Sequence, residues 1–177
     1  QTSTDKLFNL EEEILRILLN YGNEQFVIDQ EETTVAEMII DDLKVDGILF
    51  SSTLFSKLYK EIEKELDNKS KIDIYHFINN NNQKISSLAV DLISNRHSIS
   101  ENWEEKHNIF TVRENEKMRK TTEKTILSLK KCHVDLQISK LQHQISEGKI
   151  DNSGVEKLSK LTKIKTQIAK TLGRNIG

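Results

Sequence analysis

Five histidines and a single cysteine, Cys132, are the side chains whose chemistry could reach beyond packing. His76, His97 and His107 fall in different segments, and no two histidines stand four apart as an HExxH zinc helix requires. His143 and Glu147 are one helical turn apart, a geometry that can hold a metal. On a helix rich in lysine the same pair reads as solvated surface. Cys132 and His133 are adjacent, so on a helix their side chains diverge by about 100°, which is poor geometry for a shared nucleophile and base. There is no GxSxG, no glycine-rich phosphate loop and no catalytic carboxylate cluster. The expectation is a chain with no catalytic residues and no metal or other cofactor of its own.

Charge offers a different kind of chemistry. Residues 1–112 carry 11 Lys+Arg against 21 Asp+Glu, whereas residues 113–177 carry 15 against 7, so a net charge of −2 hides an acidic body and a basic arm. A basic arm fits an acidic partner or nucleic acid, and it also fits the solvated faces of long helices. Aromatic residues are almost missing after Phe110, so there is no platform for stacking single-stranded bases. Phosphate contact stays open to the lysines, but base reading is not expected. Little direct nucleic-acid binding is the resulting expectation.

The elements that must position these residues are helical. The 177 residues include no proline and 6 glycines, which favours uninterrupted helices over a turn-rich β architecture. Hydrophobic residues make up 36% and charged residues 31%, the balance of a modest core under a heavily solvated surface. No apolar run approaches the roughly 20 residues that cross a bilayer, and no secretory signal opens the chain. One cysteine excludes internal disulfides and cysteine-rich zinc sites, and a reducing cytoplasm is the default compartment. The polar start "QTSTD", without Met, reads as a piece cut from a longer chain through a linker.

Helical periodicity and caps divide the chain. "NLEEEILRILLNYG" predicts a first helix with Asn9 as N-cap, Glu12 completing a capping box, and Gly22 past its end. A second helix opens at Thr33 or Thr34 and stops before Gly47. A third is capped by Ser51 or Ser52 and closes at "DNKS". Asp73 begins a short helix, "NNNNQ" is a loop, and another helix follows from Gln83. "FVID" and "GILF" are candidates for short extended pieces. A capped turn at Ser100 holds Trp103, a structural anchor between body and arm.

From about Glu114 to Ser146 nothing interrupts a helix, which at 1.5 Å per residue reaches about 50 Å. It carries two apolar stripes. Leu127, Val134, Ile138, Leu141 and Ile145 share one, while Met118, Ile126, Leu129, Cys132 and Leu136 lie on the other side. "SEGKIDNSGVEKL" then breaks the chain. Gly148 is placed to end one helix in the left-handed conformation, and Asp151 or Asn152 to cap the next. A returning helix with Leu158, Leu161, Ile164, Ile168 and Leu172 covers one stripe, and the bundle covers the other. The expected fold is all-α: an N-terminal multi-helix bundle over 1–112, then a long connecting helix and a C-terminal helical hairpin over 113–177.

In order, "EEEILRILLNYG", "TTVAEMIIDDL", "SSLAVDLIS", "SISENWEEKHNI" and a closing hairpin ending in "LGRN" resemble one family. It is the C-terminal, helicase-binding domain of bacterial DNA primase, in the style of the Bacteroidetes group. The resemblance runs from about Leu10 to Arg174. It implies a subdomain like the N-terminal domain of the replicative helicase, followed by a hairpin that docks on the N-terminal domain of the helicase hexamer. It further implies a bacterial cytoplasmic protein that recruits primase to the fork and adjusts the helicase. The parent would be a DNA-directed RNA polymerase, a nucleotidyltransferase using zinc and magnesium in upstream domains, whereas this part would synthesise no primers. The alternative is the N-terminal oligomerisation domain of a replicative helicase. An ATPase would follow such a domain, and "GRNIG" reads as a natural end instead. On the hairpin the candidate partner-binding residues are Leu129, Cys132 and Leu136, if neither bundle nor partner lies over them, with Lys160, Lys163 and Lys170 at the rim. Exchange of hairpins into a homodimer is left open.

Overall fold

The computed structural model describes residues 2–28, 30–69, 71–94, 112–149 and 152–174. Among them are seven helices, α1 (Ser3–Tyr21), α2 (Val35–Val45), α3 (Thr53–Lys69), α4 (Ile74–Ile78), α5 (Gln83–Ser94), α6 (Val112–Ser146) and α7 (Asn152–Arg174). One two-stranded antiparallel sheet, β1 (Gln25–Ile28) with β2 (Glu31–Thr34), sits between α1 and α2. The fold is all-α, as expected. Trp103, the Ser100 turn and the "SISENWEEKHNI" motif lie outside the described residues.

The first helix begins earlier than Asn9. Thr2 is the N-cap, and the box is closed by Asp5: Asp5 N donates to Thr2 Oγ1 at 3.1 Å and Thr2 N donates to Asp5 Oδ2 at 3.1 Å. Those hydrogen bonds hold the Asp5 carboxyl below its ordinary pKa. Asn9 therefore lies within the helix. The apolar face starts at Leu7, whose burial draws the preceding turn into the helix. Thr34 caps α2 with Glu37 reciprocating, and Ser52 Oγ accepts from Phe55 N at the start of α3. Asp73 caps α4.

Of the two candidate extended pieces, "FVI" forms β1 and the other is not a strand. Gly47 adopts φ 61°, Ile48 N donates to Leu43 O at 3.0 Å and Gly47 N to Lys44 O at 3.1 Å. These are the paired bonds of a Schellman motif, which turn the chain after "DG" into a helix end. The strand missed by periodicity is β2, "EETT", which pairs Thr34 with Gln25 and Glu31 with Ile28.

The core fills the space between α1, α2, α3, α5 and the first part of α6. Ile14, Leu18, Ile39, Leu58, Ile62, Phe77, Ile85 and Leu92 are wholly buried, each worth about 1.5–3 kcal/mol on leaving water. The same cluster continues into α6 through Met118, Ile126, Leu129 and Cys132. The expected boundary at 112/113 thus coincides with the first turn of α6, and one apolar core spans it. α6 is the middle layer: one stripe lies on the bundle, and α7 packs along another.

One glycine is required by a close approach. Gly22 follows α1 with φ −55°, its N–H bonded to Leu18 O. Its carbonyl receives Ala36 N at 3.0 Å, joining the end of α1 to the start of α2. Beside it Asn23 brackets Ile72, accepting from its N–H and donating to its carbonyl, both at 2.8 Å. A Cβ at position 22 would stand 2.3 Å from Leu18 O and 2.6 Å from Ile72 Cδ1. Gly22→Ala should lower unfolding stability by about 1–3 kcal/mol through overpacking, measured as a drop in urea midpoint with unchanged slope. A midpoint within error of the parent would show that the junction gives way freely.

Candidate functional site

α6 is fastened to the body by chemistry as well as by packing. On α1, Glu11 is 0% exposed, and its carboxylate accepts from Ser51 N at 2.6 Å and Ser51 Oγ at 2.7 Å. From α6, His133 Nε2 approaches the same carboxylate at 4.0 Å. That nitrogen is buried and has no hydrogen-bond partner among the described residues. Burial pushes the His133 pKa below its ordinary value, and the nearby Glu11 charge only partly opposes this. One face further round, Lys130 reaches α2 and its end, with Asp42 at 2.7 Å and Asp46 at 2.6 Å. Burial presses on this ammonium too, but the hydrogen bonds to the two aspartates outweigh it and hold its pKa up.

The three apolar candidates lie at this fastening. Leu129 is 0% exposed, Cys132 is buried with Sγ 3.7 Å from Ser3 O, and Leu136 packs partly buried on the same core. The bundle covers them, so in this structure they are not a surface for a second protein. A helix face can be identified from periodicity, whereas the element that covers it cannot. Burial also pushes the Cys132 thiol up, which keeps it protonated and makes it a packing group.

Beyond Leu136 the hairpin is held by its own two helices. Lys165 Nζ meets Asp135 Oδ1 at 2.7 Å, with Lys131 on the other oxygen at 3.0 Å. Both cations hold the Asp135 carboxyl below its ordinary pKa, against the opposing effect of its partial burial. Ile138 and Leu161 are buried between the helices. At the turn, Gly148 takes φ 66°, Lys149 N donates to Gln144 O and Gly148 N to Ile145 O, both at 3.0 Å, which is a second Schellman motif.

The exposed end of the hairpin carries features that spacing alone did not single out. Ile145 is 40% and Val155 53% exposed, and they stand in the last turn of α6 and the first turn of α7. Ile164 is also exposed. Lys160, Lys163 and Lys170 all lie exposed on α7, and none makes an ion pair among the described residues. The structure thus separates the six candidates: three lysines in solvent, three apolar side chains in the core. His143 Nδ1 is 3.7 Å from Glu147 Oε1, but both are solvated and Glu147 is shared with Lys149 at 2.9 Å. Among the described residues no three His, Cys, Asp or Glu side chains gather as metal ligands, and no helix is long and apolar enough to cross a membrane.

A family model described as a domain of unknown function (DUF8430) matches residues 1–176. No curated protein and no solved structure matches the chain.

Two outcomes follow from the fastening. Leu129→Ala should cost about 2–5 kcal/mol of unfolding free energy in urea, the loss of a core leucine; a near-neutral value would place this side chain at a surface. Protonating His133 is disfavoured in the folded state, so the unfolded chain binds more protons once pH falls below about 6.5. Stability from this group is complete above that pH and is lost as pH falls toward the lowered folded pKa. Thermal melts of the parent and His133→Gln at pH 7.5 and 5.5 should differ in slope, the parent losing more on acidification. Equal slopes would mean that His133 titrates as freely in the fold as outside it.

Proposed function

The chain belongs to the DUF8430 family, and we propose that it is a helicase-interaction domain of a bacterial DNA primase, working without catalysis. It would recruit the primer-synthesising polymerase to the replicative helicase by presenting its hairpin to the helicase N-terminal domain. The observation that carries this reading is the ordered set of sequence motifs from "EEEILRILLNYG" to "LGRN", in a chain whose described residues form a helical body with a terminal hairpin. Two features of the hairpin support it. Its root is fixed on the body by Glu11, Lys130 and the Leu129–Cys132 packing, so its free end is presented in a defined direction. Its end exposes Ile145 and Val155, and aliphatic side chains left uncovered at the end of a projecting element are suited to insertion in a partner's groove.

Charge and apolar contact have separable roles. Exposed lysines at a rim change association rate and salt sensitivity, whereas apolar anchors set residence time. The apolar role belongs to the Ile145–Val155 end, since Leu129, Cys132 and Leu136 are already covered. The primer-synthesising chemistry, zinc, magnesium and bacterial cytoplasmic setting belong to the parent primase in this reading.

The test is surface-binding kinetics against the N-terminal domain of the cognate helicase. Removing residues after Gly148 should abolish binding while leaving a cooperative melt. Val155→Ala should speed dissociation, with a loss of about 1–3 kcal/mol, and Lys163→Ala should chiefly slow association at low salt. Full affinity in the shortened chain would move the interface to the bundle.

A further inference from the structure

We infer that the outer face of α7 is a binding surface for the phosphate backbone of double-helical nucleic acid. The helix contains six Lys and Arg residues and one acidic residue, Glu156. Lys165 is committed to Asp135 on the inner side. At 100° per residue, Lys163 and Lys170 fall on the side turned away from Leu161, Ile168 and Leu172, with Lys160 at its edge. All three are exposed and none forms an ion pair among the described residues. From Lys160 to Lys170 the row runs about 15 Å along the helix, alongside which a duplex presents about nine charges at one per roughly 1.7 Å.

The composition of this face selects the kind of partner. Between the lysines lie Gln167 and Thr171, also exposed, and no aromatic side chain. Lysine is depleted from the cores of protein interfaces, where apolar anchors must exclude water. Phosphate contact needs no such anchor: each lysine releases condensed counterions on its own. The missing aromatics remove stacking on single-stranded bases, but not contact with a backbone. The acidic residues 1–112 would repel the same polyanion, so a duplex is admitted to the arm and kept from the body. The inference shares these lysines with the rim of the proposed helicase interaction but needs no helicase, and the duplex titration contains none, so the two readings fail separately.

The experiment is fluorescence anisotropy of the full chain with a labelled 20-base-pair DNA duplex of arbitrary sequence, titrated at several salt concentrations from 20 mM upward. Three phosphate contacts give a log–log salt slope of about −2.7, so affinity should fall roughly fortyfold between 50 and 200 mM salt. Replacing the three lysines together (Lys160→Gln, Lys163→Gln, Lys170→Gln) should remove most of the slope and cut the affinity by roughly tenfold or more at low salt. Circular dichroism checks that α7 is intact, and a polyglutamate competitor at equal charge should displace the duplex poorly. No binding at 20 mM salt would overturn the inference, as would a folded triple variant that binds unchanged. Equal displacement by polyglutamate would also overturn it, assigning the lysines to an acidic protein.

Discussion

A carboxylate with no access to water is the constraint around which this fold is organised. Glu11 costs several kcal/mol to bury unless its oxygens are bonded, and the bonds come from Ser51 at the entrance to α3. The arrangement therefore fixes α1 against α3 at one point, while the nearby His133 brings α6 to the same place. Removing either partner would leave a buried polar group unanswered, a larger loss than the net worth of the bonds themselves. Three segments far apart in sequence are held to one registration by one side chain. The apolar core around it supplies the bulk of the stability, but apolar packing alone tolerates sliding that hydrogen bonds do not.

Most helices are legible in the chain because caps and periodicity agree. Thr34 with Glu37, Asp73 and Gly148 each mark a boundary through a local hydrogen-bond requirement that neighbouring residues alone decide. Asn9 with Glu12 satisfies the same pattern and is nevertheless interior, because Thr2 and Asp5 offer an equivalent box about two turns earlier. β2 is hidden for a similar reason: "EETT" has no alternating apolar pattern, and its conformation follows from pairing with β1.

Helical spacing sets Glu11 on the apolar face with Leu7, Ile14 and Leu18 and turns Glu12 and Glu13 off it, but that Ser51 would satisfy a carboxylate there follows only from tertiary position. The two stripes of α6 are legible as stripes. That the bundle covers Leu129, Cys132 and Leu136 is a matter of tertiary packing, and the candidate contact residues shift accordingly to the hairpin's end. Lys160, Lys163 and Lys170 face solvent as the helical repeat of α7 indicates, because an unpaired cation has a strong reason to remain in water.

The middle position of α6 makes it a lever. Its root is gripped by the body between about Met118 and Leu136, and its last ten residues carry the turn outward. A helix is stiff over this length, so orientation set at the root is delivered undiminished to the tip. A tilt of about 5° at the grip would carry Gly148 by about 2 Å, given about 20 Å of helix beyond it. Substitutions around Asp42, Asp46 or His133 can thus redirect the hairpin without touching it, and anything that seizes the tip exerts torque on Lys130 and Glu11.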